Sequence, residues 1–194
     1  MKLSINWLKE YIEFNKTLDE ISENLTMIGN EVESIETKGI IPGVIVAEIQ
    51  HISFHPNADK LKLAKVFDGN KSYNIVCGAP NIEEGQKIFL ATIGSKLPDP
   101  SNDSYFEIKK SKIRGEVSEG MICSEKELGI SNNHEGIMVL PKDYILGDSI
   151  EKYYSETVLD IDVTPNRVDC LSVVGLARDL SAKFSSKLKF NYSI

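Results

Sequence analysis

Residues 43–77 read GVIVAEIQHISFHPNADKLKLAKVFDGNKSYNIVC, and this stretch decides the fold. It holds three runs of strand type, GVIVAEIQHI, LKLAKVF and SYNIVC, each rich in β-branched, apolar or aromatic residues. The second and third meet at Asp68-Gly69-Asn70, a hairpin signal. Between the first and second lies HPNADKL, residues 55–61. Pro56 biases His55 away from helical geometry, while Asn57 and Asp59 can hydrogen-bond to the backbone. A rigid, exposed loop is therefore expected, leading into the strand that carries Lys60, Lys62 and Lys65.

Further along, QKIFLATI is another strand pattern, the polar PDPSNDS reads as a surface loop, and YFEIKKSKIRG resumes strand character. The apolar positions of that last run change phase between Ile108 and Ile113, which predicts a β-bulge or a strand break. Ser124 can cap a short helix through EKELG, and GIMVL gives a final short strand. Many short strands, little helix and glycine-containing turns argue for a small closed barrel rather than a parallel α/β sheet.

The segments on either side differ in kind from this run of strands. Ser4 or Asn6 can cap a helix through WLKEYI, and Thr17 with Glu20 forms a capping-box pattern before a helix whose Leu18, Ile21, Leu25 and Ile28 share one face. EVESIET then alternates as a half-buried strand. After the barrel, TVLDIDV reads as a strand and Asp169–Phe184 as a helix with Leu171, Val174, Ala177, Leu180 and Phe184 along one face. Each flank is too short to form a stable core alone. The economical solution is one small α/β domain built from residues 1–38 and 152–185, with the barrel of residues 39–151 inserted between its halves and residues 186–194 serving as a linker.

Composition narrows the function. The chain has 194 residues, no segment of roughly 20 apolar residues of the kind that spans a membrane, and Glu10 and Glu13 where a signal peptide would be apolar. Three isolated cysteines, Cys77, Cys123 and Cys170, fit buried thiols in a reducing compartment. The nucleotide cradles GxGxxG and GxxxxGK[ST] are absent, as is the GxSxG elbow of serine hydrolases. His51 and His55 do not make a metal-binding helix. Asp160 and Asp162 point to one face of a strand, but no third ligand accompanies them, so a solvated strand face is expected. No catalytic, cofactor or metal site is predicted, and the chain reads as an intracellular binding piece rather than a self-contained enzyme.

The net charge is −7, unlike the overall basic balance usual in a dedicated nucleic-acid binder. Yet KKSKIR, Lys109 to Arg114, carries four positive charges and no negative one. Such a patch can position a phosphate backbone, and Tyr105 and Phe106, with Phe54, Phe67 and Tyr73 farther off, are aromatics able to stack on bases. The alternative is that these lysines simply solvate a strand.

Three motifs in order, HPNADKL, IVCGAPN at 75–81 and IRGEVSEGMICSEKELGI at 113–130, resemble the tRNA-binding OB-fold module of several tRNA-handling proteins. The flanking SINWLKEYI, LTMIGNEVESIE and DVTPNRVDCLSVVGLARDL resemble the amino-terminal region of the bacterial phenylalanine--tRNA ligase beta-subunit family. The resemblance implies an OB barrel inserted in an α/β domain and a larger parent. It implies phenylalanine tRNA as ligand, an alpha subunit as partner in an α2β2 tetramer, ATP and Mg²⁺ handled outside this chain, and cytoplasmic location. Lys60, Lys62, Lys109, Lys110, Lys112 and Arg114 become the expected RNA contacts, with Ser118 and Ser124 offering hydroxyls. Thr164, Pro165, Asn166, Arg167, Asp169 and Cys170 match the family's TPNR-DC signature, read as the start of a helix with Arg167 paired to an acidic neighbour or to RNA. The barrel region from Gly39 to Glu151 has 12 basic and 16 acidic side chains, a net of −4, which favours docking or limited tRNA contact over strong independent affinity. A free-standing tRNA-binding or chaperone-like protein is the alternative.

Overall fold

Ser4 stops extended backbone and starts a helix, because its hydroxyl accepts from the Trp7 N–H at 3.1 Å. At Thr17 and Glu20 the capping box forms in both directions. These two caps set the first half of a computed structural model that describes residues 1–99 and 104–189. In chain order it begins with β1 (Lys2–Ser4), α1 (Ile5–Tyr11), α2 (Leu18–Met27) and β2 (Glu31–Lys38). The middle holds β3 (Val44–Phe54), β4 (Lys62–Phe67), β5 (Ser72–Cys77), β6 (Lys87–Thr92), β7 (Lys96–Asp99) and β8 (Ser104–Glu107). It continues through β9 (Ser111–Ile113), β10 (Glu116–Ser118), β11 (Gly120–Ile122), β12 (Val139–Leu140) and α3 (Glu151–Tyr154). Last come β13 (Glu156–Asp162), a 3-10 turn (Val168–Leu171) and α4 (Val173–Phe184).

The chain divides into two units, Gly39–Ser155 and the pair Met1–Lys38 with Glu156–Ile194. In the flanking unit β13 is central, antiparallel to β1 on one side and β2 on the other, with Lys38 opposite Glu156. Leu3, Leu8, Ile21, Leu25, Leu159, Ile161, Leu176 and Leu180 form its core. Three expectations change here. Strand β2 is mostly exposed rather than half-buried; Val32 packs on the core, whereas Ile35 is 41% exposed. The last helix begins at Ser172, whose hydroxyl accepts from the Gly175 N–H, not at Asp169. That break rotates the buried face to Val173, Leu176, Ala177 and Leu180 and leaves Leu171 outside. Within the segment expected as a linker, Leu188 bridges Ile12 and the Lys189 N–H donates to Tyr11 O, so residues 186–189 are held by this unit.

The middle unit is an antiparallel sheet in the order β11-β6-β3-β4-β5. Its two ends meet where the Glu119 N–H donates to Asn74 O at 2.9 Å, which nearly closes the barrel. Five principal strands with β3 paired to both β4 and β6 give the OB topology. The hairpin between β4 and β5 turns at Asp68-Gly69-Asn70 as expected, with the Asp68 carboxylate accepting from the Asn70 and Lys71 N–H groups. Residues 108–110 separate β8 from β9, so the phase change at Ile108 is a strand break. In the stretch expected as a loop, Pro98 and Asp99 belong to β7 and Ser104 to β8; residues 100–103 lie outside the described set. The expected helix after Ser124 is a single turn, closed by the Leu128 N–H on Ser124 O. Lys152–Ser155 belong to the barrel unit, since Tyr154 packs edge-on against the buried Phe89 at 5.6 Å. Gly39, at φ +76°, lies so close to the Tyr154 carbonyl that any Cβ would collide with it.

Candidate nucleic-acid interface

The HPNADKL loop and the IRG turn, far apart in sequence, are tied together by two side chains. His55, 5% exposed, has both ring nitrogens engaged: Nε2–H donates to Ile113 O at 3.1 Å and Nδ1 accepts from the Asn57 N–H at 3.0 Å. Asn57 Nδ2 in turn donates to Arg114 O at 3.2 Å. The held segment is the two-residue turn between β9 and β10, with Arg114 at φ +47° and Gly115 at φ +107°. A type I′ hairpin turn needs positive φ at both central positions. Glycine meets that need freely; arginine does so against a steric penalty of about 1–2 kcal/mol. The consequence is positional: Arg114 lines one cleft with Lys60, Ala58, Asp59 and Leu61. Neither the Lys60 ammonium nor the Arg114 guanidinium has a hydrogen bond or ion pair among the described residues, and both residues are exposed.

The other expected contacts divide. Lys109 and Lys112 are exposed, and Lys112 stands opposite Val117 across the β9–β10 ladder. Lys110 pairs with Glu119 at 3.3 Å, so its charge is partly answered. That carboxyl is held below its usual range, first by the Asn74 N–H it accepts and then by Lys110. Lys62 turns its ammonium to Ile82 O at 3.4 Å. Ser118 and Ser124 are corrections. Ser118 is 2% exposed, and its hydroxyl accepts from the Val76 N–H and donates to Gly120 O, stitching β10 to β5. Ser124 is also buried and donates its hydroxyl to Glu127 at 2.7 Å. Both hydroxyls are consumed within the barrel, so neither is presented to a ligand.

IVCGAPN is structural in the same sense. Asn81 accepts from the Ile137 N–H and donates to Ile137 O, both at 2.9 Å, imitating a strand pair. The three thiols are buried, and burial raises those of Cys77, Cys123 and Cys170, the last to about 11. Among the aromatics of the described residues, Phe54 (84%) and Tyr105 (73%) are the most exposed. What the sequence reading missed is the His55–Asn57 tie and a polar row across the sheet, His51–Lys65–Asn74, formed by direct cross-strand pairs. The Lys65–Asn74 pair was in principle readable by counting outward from the Asp68-Gly69-Asn70 turn.

In the flanking unit Arg167 pairs with acidic neighbours. It donates to Asp169 through Nε and Nη2, both at 3.2 Å, and through Nη2 to Asp179 and the Cys170 sulfur. Asp169, Cys170 and Asp179 offer ligand atoms within 4.8 Å of one another, but the guanidinium already supplies the cation they surround. Its protonated form is reinforced by Asp169 first and Asp179 second, and Asp169 is correspondingly lowered by Arg167. Asp160 has the amino terminus at 3.5 Å as its charge partner.

With this geometry in view, comparison with known proteins gives a consistent result. A family model described as a putative tRNA binding domain matches residues 44–149. Phenylalanine--tRNA ligase beta subunits are similar over almost the whole chain. The Geobacter metallireducens protein is 47% identical over 193 residues, covering 98% of this chain and 24% of that protein. The Bacteroides fragilis protein is 49% identical over 190 residues, 94% of this chain and 23% of its own length. The Fusobacterium nucleatum protein is 42% identical over 194 residues, with 98% and 24% covered. The chain thus spans about a quarter of the length of the curated relatives it matches.

Proposed function

This chain belongs to the putative tRNA binding domain family, and on that premise we propose that it is the amino-terminal, tRNA-contacting and architectural region of a phenylalanine--tRNA ligase beta subunit. Similarity that runs through both flanks as well as the barrel supports a subunit region over a free-standing binding module. The parent enzyme attaches phenylalanine to its tRNA at the expense of ATP, in the cytoplasm and together with an alpha subunit in an α2β2 assembly. This region contributes RNA contact and no reaction step. Mg²⁺ finds no fit at the group of metal-type ligands among the described residues, Asp169, Cys170 and Asp179, because Arg167 fills it.

The observation that carries the reading is the meeting of Lys60 and Arg114 at one cleft, their charged groups without partners among the described residues, with Arg114 in a backbone conformation that suits glycine better. Lys109 and Lys112 add exposed charge on the same excursion of chain. Phosphate contacts of this kind release counterions, so affinity falls as salt rises. The test is binding of labelled phenylalanine tRNA to the purified chain across a salt series. Lys60→Ala and Arg114→Ala are each expected to weaken binding and to lower the salt slope by about 1. Binding that is absent at low salt, or a slope unchanged by both variants, overturns the proposal.

A further inference from the structure

The barrel closes along a seam between β5 and the chain that leads through β11, and this seam is sewn at two places. At one end the Glu119 N–H donates to Asn74 O, and the Ser118 hydroxyl accepts from the Val76 N–H. At the other the Asn81 side chain takes the place of a strand beside Ile137. Between them lies a slot of roughly 540 Å³, with Val76 to Pro80 on one side and Met121, Ile122 and Gly136 on the other. That volume is in the range that takes a small ligand or a few residues of chain. The slot also reaches the core: Cys77, Ile122 and Ile137, which line it, belong to one buried apolar cluster.

Unpaired backbone faces the slot from both walls. The Cys123 N–H donates to Phe89 O, and hydrogen-bonded positions alternate along an antiparallel ladder, so Ile122, opposite Leu90, turns its N–H and C=O away from β6. In β5, Asn74 and Val76 face the seam by the same alternation, and Ser118 takes only the Val76 N–H. The Val76 C=O and the Ile122 N–H and C=O have no hydrogen-bond partner among the described residues. Ile122 is 5% exposed, and a residue so deeply placed rarely leaves both backbone groups unpaired. An acceptor on one wall, a donor and an acceptor on the other and an apolar floor form a template for extended chain. At the rim, the Lys126 ammonium and the Glu135 carboxylate have no ion pair among the described residues, while Glu127 is held by Ser124 and His134 bonds Asn132 O through Nδ1. One lysine against two glutamates disfavours a phosphate chain and favours a basic side chain.

We propose that this slot docks an extended polypeptide segment of a protein partner. The segment bonds the Val76 C=O and the Ile122 N–H and C=O through its own backbone, seats one apolar side chain against Cys77, Ile122 and Ile137, and sets a basic residue beside Glu135. Backbone pairing supplies the attachment, and the apolar floor with the acidic rim selects the sequence. The site is separate from the Lys60–Arg114 cleft and stands whether or not that cleft binds RNA.

The test titrates the full chain, labelled with nitrogen-15, with the acetylated and amidated peptide Lys-Val-Leu-Val-Lys-Gly and follows the backbone amides by NMR. The Ile122 amide is expected to shift and to exchange more slowly with solvent, because it gains an acceptor. The same peptide N-methylated at its three apolar residues cannot donate to Val76 and should bind about tenfold more weakly. Glu135→Lys, a change at an exposed position, should weaken the unmethylated peptide about fivefold, with far-UV circular dichroism confirming that the variant folds. Equal binding of the methylated peptide, or an unperturbed Ile122 amide at millimolar peptide, overturns the docking of an extended segment. Normal peptide binding by Glu135→Lys overturns the placement of the basic residue. A single-stranded RNA that shifts the Ile122 amide where the peptide does not assigns the slot to nucleic acid and overturns the polypeptide partner.

Discussion

The two units each hold an arginine in a motif resembling the same protein family, and they use it in opposite ways. In the flanking unit Arg167 is turned inward, its guanidinium enclosed by Asp169, Asp179 and the Cys170 sulfur. In the barrel Arg114 is turned outward on strained backbone, with no anion answering it among the described residues. A matching motif therefore says that a residue has a purpose without saying which. The surroundings decide: a neutralised cation ties elements together, and an unneutralised one attracts an external anion.

The strongest challenge to treating the units separately is Phe89→Ala in the barrel core, expected to cost about 3–5 kcal/mol. Unfolding in guanidinium can be followed by far-UV circular dichroism for the whole chain and by the fluorescence of Trp7, the single tryptophan, for the flanking unit. The expected result is an earlier barrel transition with the Trp7 midpoint kept. A Trp7 midpoint that moves by the same amount would mean the units unfold as one. A smaller effect sharpens the contrast of the arginines: Arg114→Gly should stabilise the chain by about 1 kcal/mol through relief of positive φ, while weakening tRNA binding. Arg167→Gln should do the reverse, lowering stability and leaving RNA affinity unchanged. Stability loss from Arg114→Gly would remove the argument from strain.

The smallest effect concerns pH. The Glu119 carboxyl is lowered from its ordinary 4.5, so its contribution to the closed barrel is present above that value and lost as pH falls through the lowered folded one. Glu119→Gln should therefore narrow the difference in melting temperature between neutral and acidic buffer. An identical pH dependence in the variant would show that the Asn74–Glu119 closure does not depend on the charge.

Much of the fold was legible because its signals are local. The capping box at Thr17, the turn at Asp68-Gly69-Asn70 and the break after Ile108 each act within a few residues. Misreadings arose where one residue resets a pattern or where a distant partner matters. Ser172 restarts the last helix and shifts its buried face, which no average over the 169–184 window detects. The hydroxyls of Ser118 and Ser124 are spent on partners that only folding brings near or orients, Val76 and Glu127. For the candidate site, the lysines and Arg114 were visible as charges, but their grouping was not. Joining Lys60 to Arg114 depends on His55 and Asn57 reaching across to residues 113 and 114.

The close approach of Gly39 to Tyr154 has a consequence for how such a chain is assembled. The entropy lost in closing a loop grows with the number of free residues between its ends. Once the barrel has folded, its first and last residues touch, so almost none remain free. The β2–β13 pairing, with Lys38 opposite Glu156, then closes at little more than the entropic cost of a hairpin, although more than a hundred residues separate its strands. A barrel that folds during synthesis thus shortens the search of the flanking strands, and lengthening its surface excursions leaves that search nearly unchanged.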